Sequence, residues 1–301
     1  MSGDSPLPTT DSTMFLNFIK NLETLHKDHK NRWLGLRIMS WLRKHRVRIE
    51  SPHGSIPSLA ENEHISTYII TEIQRAPPSQ LHIRDIMSNI EEGTKTQFLA
   101  SFAAFESNPG LDPYSPRTGP CCVWDFCLQS ESELASFITI PEEFQDGYVF
   151  KRLDDTNYKC TITVTVIGTI TEPHMDQTGS ETLLFELLGT KLFIIWPPTK
   201  NNLAWFRNKY GIASETILEA ALDALEDPYC VLLQPGDFYL LPPGHIDCIL
   251  SFTNSAIGGI LVVHDKFLET AKKVMDWKND ILREQILRGA TQAEKQSVKG
   301  I

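Results

Sequence analysis

The segment Thr171-Glu172-Pro173-His174-Met175-Asp176 carries an imidazole and a carboxylate two positions apart. On an extended chain residues at that spacing project to the same side, so His174 and Asp176 can offer one nitrogen and one oxygen to a single cation. A His-x-Asp triplet arises often by chance, and its weight comes from what surrounds it. Downstream, Lys191 opens the otherwise apolar run Lys191-Leu192-Phe193-Ile194-Ile195-Trp196. A lysine there must either snorkel to water or meet an anion, because an unpaired buried ammonium is costly. A bound carboxylate would satisfy it. A third piece, Gly236 to Asp247, contains two turn signals, Gly236-Asp237 and Pro242-Pro243-Gly244, and delivers His245 and Asp247 at a strand start.

These residues sit in a part of the chain whose texture is short β-branched runs split by Gly and Pro. Strands are expected over 158–170, 183–188, 191–196, 229–232, 238–241, 246–252 and 259–264, a spacing that predicts an antiparallel barrel or jelly roll. A helical insertion interrupts them at 202–225, and a helical segment follows in 266–301. The first third reads differently. Apolar residues recur at helical spacing through Phe15, Phe18, Ile19 and Leu22, then through Trp33, Leu36, Met39 and Leu42, with further helical patches at 61–75 and 83–90. Pro52, Gly54 and Pro57 mark a loop over 51–58, and the Gly, Pro, Ser and Asp of 108–120 mark the main boundary. The expected organisation is a flexible start at 1–13, a helical region at 14–110, a β-rich domain at 111–265 and the C-terminal helical segment.

The order of Thr171, His174, Asp176, Lys191, the Trp196-Pro197-Pro198 strand end, the Gly236-Asp237 turn, the Leu241-Pro242-Pro243-Gly244 turn and the Asn254-Ser255-Ala256-Ile257-Gly258-Gly259 stretch resembles a JmjC domain. In spacing it is closest to the JmjC histone lysine demethylases. The resemblance covers roughly 137–265 and implies a double-stranded β-helix of the jelly-roll, cupin-like kind. It also implies iron(II) as metal and 2-oxoglutarate as cosubstrate. Carried over residue by residue, His174 and Asp176 match two iron ligands, while Thr171 and Lys191 match the groups that anchor 2-oxoglutarate. The sequence departs from the pattern at the distal ligand: counted from Pro242, the slot where the family has histidine holds Asp247, and His245 sits two residues earlier. Three arrangements stay open. Asp247 completes a one-histidine, two-carboxylate centre, His245 reaches in through a local shift, or the centre no longer binds iron productively. The resemblance thus implies a 2-oxoglutarate-dependent oxygenase acting on a protein side chain, as hydroxylase or histone lysine demethylase. The alternative is a catalytically degenerate relative that serves as a binding or regulatory module. A small-molecule or RNA hydroxylase on the same fold is a third reading, since fold does not fix substrate.

The net charge of -10 disfavours direct nucleic-acid binding through phosphate contacts and suits a protein or peptide partner such as a basic histone tail. The basic stretch from Lys27 to Arg48, with Trp33 and Trp41 interleaved, reads as a solvated helix face whose Trp side chains pack inward, with a nucleic-acid or nuclear-import patch as the alternative. No run is apolar enough to span a bilayer, and 1–13 is polar, so a nuclear or cytoplasmic protein is expected. The six cysteines show no CxxC pairing, and Cys121, Cys122 and Cys127 read as packing residues. His53, His64 and His82 are expected at the surface, His264 and Asp265 as structural, and Gly258 and Gly259 as sites of close backbone approach or a bulge.

Overall fold

The computed structural model describes residues 13–24, 30–75, 98–100, 102, 123–142, 148–149, 158–176, 180–209 and 217–289. The expected helix at 83–90, His82, Cys121, Cys122, and the ends of the chain lie outside them.

Among the described residues twelve strands form two facing sheets rich in antiparallel pairs, a β-sandwich of jelly-roll type. One sheet has the order β1 (Arg48–Glu50), β9 (Tyr229–Leu233), β8 (Lys191–Trp196), β11 (Ile246–Ser251), β6 (Ile170–His174). The other runs β2 (Gly54–Ser55), β10 (Asp237–Leu241), β7 (Glu181–Leu188), β12 (Ser255–Val263), β5 (Tyr158–Thr165), β3 (Val123–Gln129), with β4 (Tyr148–Val149) paired to β12.

The strands read as near-continuous apolar runs because both of their faces are buried. On β8, Leu192, Ile194 and Trp196 point outward into a core shared with the helices Thr13–Thr24, Lys30–His45 and Ile217–Ala224, while Phe193 and Ile195 point between the sheets. On β7, Leu183 and Phe185 pack outward with Ile65, Ile69 and Ile73 of the helix Ile65–Arg75. That helix buries residues at i, i+4 and i+8, the stripe expected of a helix lying on a sheet. The inward faces hold a smaller apolar cluster, including Phe193, Ile195, Val231, Leu233, Leu241 and Ile257, and the polar side chains of interest lie among them.

The two ends of the sandwich are built differently. At one end, residues 166–169, 189–190, 234–236 and 252–254 make four tight connections, tied to each other and to the strand ends: Gly168 N–H donates to Ser251 O at 2.9 Å, Phe252 N–H to Thr190 O at 2.9 Å and Ile167 N–H to Asn254 Oδ1 at 3.0 Å. We call this closed end the floor. At the opposite end, the mouth, β6 ends and β7 begins, residues 242–245 connect β10 to β11, and helices Lys200–Lys209 and Ile217–Ala224 follow Trp196.

Several expectations shift. The run 158–170 is two strands divided by a turn at Gly168 (φ 79°), not one. The last strand begins at Ser255, four residues before the expected start. Residues 48–55 include two short edge strands, β1 joining β9 in parallel and β2 joining β10 antiparallel, so this segment straps both sheets. Short edge strands carry little periodicity to detect. The close approach expected at Gly258 is present: a Cβ there would meet the Phe185 ring at 1.9 Å. A register shift in the β12–β7 pairing falls between Ala256 and Ile257.

Candidate metal and acid-binding cavity

A cavity of about 240 Å³ lies between the sheets, lined by Thr171, His174, Asp176, Lys191 and Asp247 together with Thr161, Thr163, Thr182, Leu184, Phe193, Leu241, Ile249, Ile257, Gly259 and Leu261. Five of the six residues singled out from sequence therefore share one space. His245 does not line it.

His174 ends β6 and Asp247 is the second residue of β11; the two are register partners across antiparallel strands, so they face the same way. His174 Nε2 stands 3.7 Å from Asp247 Oδ2. The ring is held from behind by the Glu172 carbonyl oxygen, 3.0 Å from Nδ1. A carbonyl can only accept, so Nδ1 carries the proton and, in the neutral ring, Nε2 turns its lone pair to the cavity, the tautomer metal-binding histidines commonly have. Asp176 lies just past the strand and accepts a hydrogen bond from the Thr182 hydroxyl of β7. One imidazole nitrogen and two carboxylates form a donor set suited to a hard or borderline divalent cation. Among the described residues no three such side chains are gathered at coordination distance, so an ion would have to draw them together.

The reason His245 is excluded is local. Residues two apart on a strand point the same way, which would set His245 beside Asp247. It instead lies in the turn that precedes β11, where strand alternation does not apply. Its Nδ1 sits 3.2 Å from Pro242 O and its ring meets Tyr229 edge-on at 6.3 Å, while burial pushes its pKa below the ordinary histidine value. His53, expected at the surface, is exposed there, and it also accepts the Leu240 backbone N–H at 3.0 Å and stacks on Tyr239 at 4.3 Å. His264 is structural as expected, its Nδ1 lying 2.6 Å from the buried Glu181 carboxylate.

At the floor, Lys191 is 1% exposed and is the register partner of Ser251 and Leu233. Thr171 is paired with Ile249 halfway between the floor and His174. Sequence reasoning passed over the wall of β5, where Thr161, Thr163 and Thr165 alternate with Cys160, Ile162 and Val164. Thr161 and Thr163 line the cavity, and Thr165 shares a 2.7 Å hydrogen bond with Ser251 near the floor. The alternation of threonine with buried apolar residues was the available signal. Glu186, fully buried, was also missed, because a charged residue inside Leu183-Leu184-Phe185-Glu186-Leu187-Leu188 resembles an ordinary edge position.

Comparison with known proteins adds family context. The chain is 26% identical over 117 residues, 38% of its length, to the Saccharomyces cerevisiae JmjC domain-containing histone demethylation protein 1. It is 24% identical over 118 residues, 39% of its length, to the Caenorhabditis elegans protein of that name. The matched segments are 23% and 11% of those relatives, so the chain spans well under half of either. No family model matches. At this low identity the similarity supports a relationship to JmjC domain-containing proteins, and the two-sheet architecture agrees with it.

Proposed function

We propose that the cavity is the active site of a JmjC-type oxygenase on a double-stranded β-helix, dependent on iron(II) and 2-oxoglutarate and acting on a protein side chain. The observation that carries this reading is the convergence of His174, Asp176, Asp247, Thr171 and Lys191, from three separate segments, on one cavity. Iron with 2-oxoglutarate, when bound, supplies oxidation of a substrate C–H bond by dioxygen, with succinate and carbon dioxide released. On an N-methyl group that hydroxylation releases formaldehyde. The residues do the rest. His174 Nε2, Asp176 and Asp247 hold the cation at the mouth, where a side chain can reach it. Lys191 pairs with the distal carboxylate of the cosubstrate at the floor, and Thr171 adds a hydroxyl donor to the same group. A basic partner such as a histone tail suits the acidic chain, and action on histones would place it in the nucleus. Among the described residues no helix is long and apolar enough to cross a membrane.

A second reading is favoured by Asp247 itself. A carboxylate in place of an imidazole adds one negative charge to the metal end, which weakens attraction for a dianionic cosubstrate. In that reading the pocket is kept for binding or regulation without turnover. Anaerobic titration of the chain with iron(II) and 2-oxoglutarate, followed by visible absorption and then by succinate release on admitting air, separates the two. The oxygenase reading expects a charge-transfer band and succinate from the chain as it stands. Absence of both, with turnover appearing only in Asp247→His, establishes the degenerate reading. Loss of activity in His245→Ala but not Asp247→Ala would overturn the ligand assignment. Replacing Lys191 with Met should weaken 2-oxoglutarate binding about 10- to 100-fold, the worth of a charge-assisted hydrogen bond.

A further inference from the structure

Glu186 is 0% exposed, and neither of its carboxyl oxygens has a hydrogen-bond partner among the described residues. Its side chain lies on the inward face of β7, beside the cavity rather than among its lining residues. Ile257, its register partner on β12, lines that space, as do Thr182 and Leu184, two and four positions earlier on β7. Glu186 and Lys191 stand on either side of the tight connection at 189–190, one on each sheet, so both point inward at the floor. Lys191 on β8 and Asp237 on β10 act on Glu186 electrostatically. At this level β9 offers Leu233, β12 offers Ile257, and Ser251 of β11 is bonded to Thr165 of β5. His174, Asp176 and Asp247 are at the mouth of the same cavity.

We infer that Glu186 sets the ligand selectivity of the floor: a carboxylate ligand is received beside Lys191 only when the Glu186 carboxyl carries its proton and donates a hydrogen bond to that ligand. The inference rests on the acid-binding reading of the cavity. Two ionised carboxylates cannot comfortably share one buried ammonium at low dielectric. With its proton on, Glu186 turns from a competitor for Lys191 into a second donor, and the ligand carboxylate is held by N–H and O–H together. The environment favours that form, since burial pushes the Glu186 carboxyl well above the ordinary range, Lys191 pulls it back, and Asp237 adds to the rise.

The test is calorimetric titration of 2-oxoglutarate into the full chain loaded with manganese(II), a redox-inert stand-in for iron, from about pH 6 to about pH 9. Wild-type affinity should fall toward high pH, by up to about tenfold per unit once Glu186 ionises in the free protein, with uptake of about one proton per ligand in that range. Proton uptake is read from the wild type alone, by comparing buffers of different ionisation enthalpy. Glu186→Gln mimics the protonated form, so it should bind with a flatter pH profile and without that proton. Titrations at the mouth are common to both proteins and cancel in the comparison. Parallel profiles, or equal proton uptake, would overturn the role of Glu186 while leaving the acid pocket standing. No binding by the wild type at any pH, with Lys191→Met indistinguishable from it, would overturn the acid pocket and the inference together.

Discussion

The floor and the mouth of the cavity solve opposite problems with the same strands. At the floor four short connections are bonded to each other and to the strand ends, and the polar groups they enclose, Lys191, Glu186 and Ser251, are each no more than 1% exposed. At the mouth the strands hand over to longer or helical connections, and His174 and Asp176 stay partly exposed. A buried charge keeps its place only where the backbone around it is fixed, whereas groups that must meet a cation and a macromolecular side chain need access. The floor is thus the part where small changes should be least tolerated.

Two glycines of similar backbone conformation break or sharpen that contrast most directly. Gly189 at the floor (φ +82°) would bring a Cβ to 2.1 Å from the Asn254 backbone oxygen, an atom that cannot move without opening the turn. Gly244 at the mouth (φ +77°) would meet only side-chain atoms, Val274 Cγ2 at 2.9 Å and Pro198 Cβ at 3.4 Å. Each alanine substitution carries the left-handed penalty of about 1 kcal/mol, and overpacking adds about 1–3 kcal/mol where nothing can yield. Gly189→Ala should therefore cost about 3 kcal/mol and Gly244→Ala about half that, measured by denaturant unfolding. Equal losses would erase the distinction between the two ends.

The next effect tests the mouth. Thr182 reaches from the opposite sheet to donate to Asp176, which lies beyond the regular end of β6. Without that hydroxyl the carboxylate loses its orientation, and Thr182→Val should weaken manganese(II) binding about tenfold, the low end for losing an outer partner of a ligand. Stability should change little, because valine fills the same volume. An unchanged metal affinity would show that Asp176 is oriented by something other than Thr182.

How much of this was legible beforehand follows the same division. That His174, Lys191 and Asp247 share one inward face could be read because strand alternation is regular and because a lysine among aliphatic residues has few explanations, while Asp176, past the end of β6, reaches the cavity outside that alternation. The strands from β7 to β11 were found nearly in place, for the same reason. His245 falls outside the cavity lining because it precedes its strand, and no periodicity marks where a turn ends and a strand begins. Glu186 and the β5 threonines were passed over because a polar residue in a half-buried strand usually faces water, and only the presence of the second sheet makes the inward face polar and closed. The β1–β2 strap was hidden by its length: three residues and two carry no pattern, and their pairing is fixed by partners nearly two hundred positions away.

That strap supplies the smallest expected effect. His53 joins β1 to β2 and accepts the Leu240 N–H through Nδ1, so its neutral form is the one that fits. Burial lowers its pKa from the ordinary value, with Glu50 opposing. The folded state therefore binds the proton less readily than the unfolded chain. The stability contributed by this contact is present above the unfolded value of about 6.5 and is lost as pH falls through it toward the lower folded value. The residue is largely exposed, so solvent screening holds the effect to less than about 0.5 kcal/mol. Replacing His53 with Gln, whose side-chain oxygen can accept the same N–H at any pH, should flatten the decline in melting temperature between about pH 7 and about pH 5. A variant that declines as steeply as the wild type would place the acid sensitivity elsewhere, and the edge strap would then be held by its backbone pairing to β9 and β10 alone.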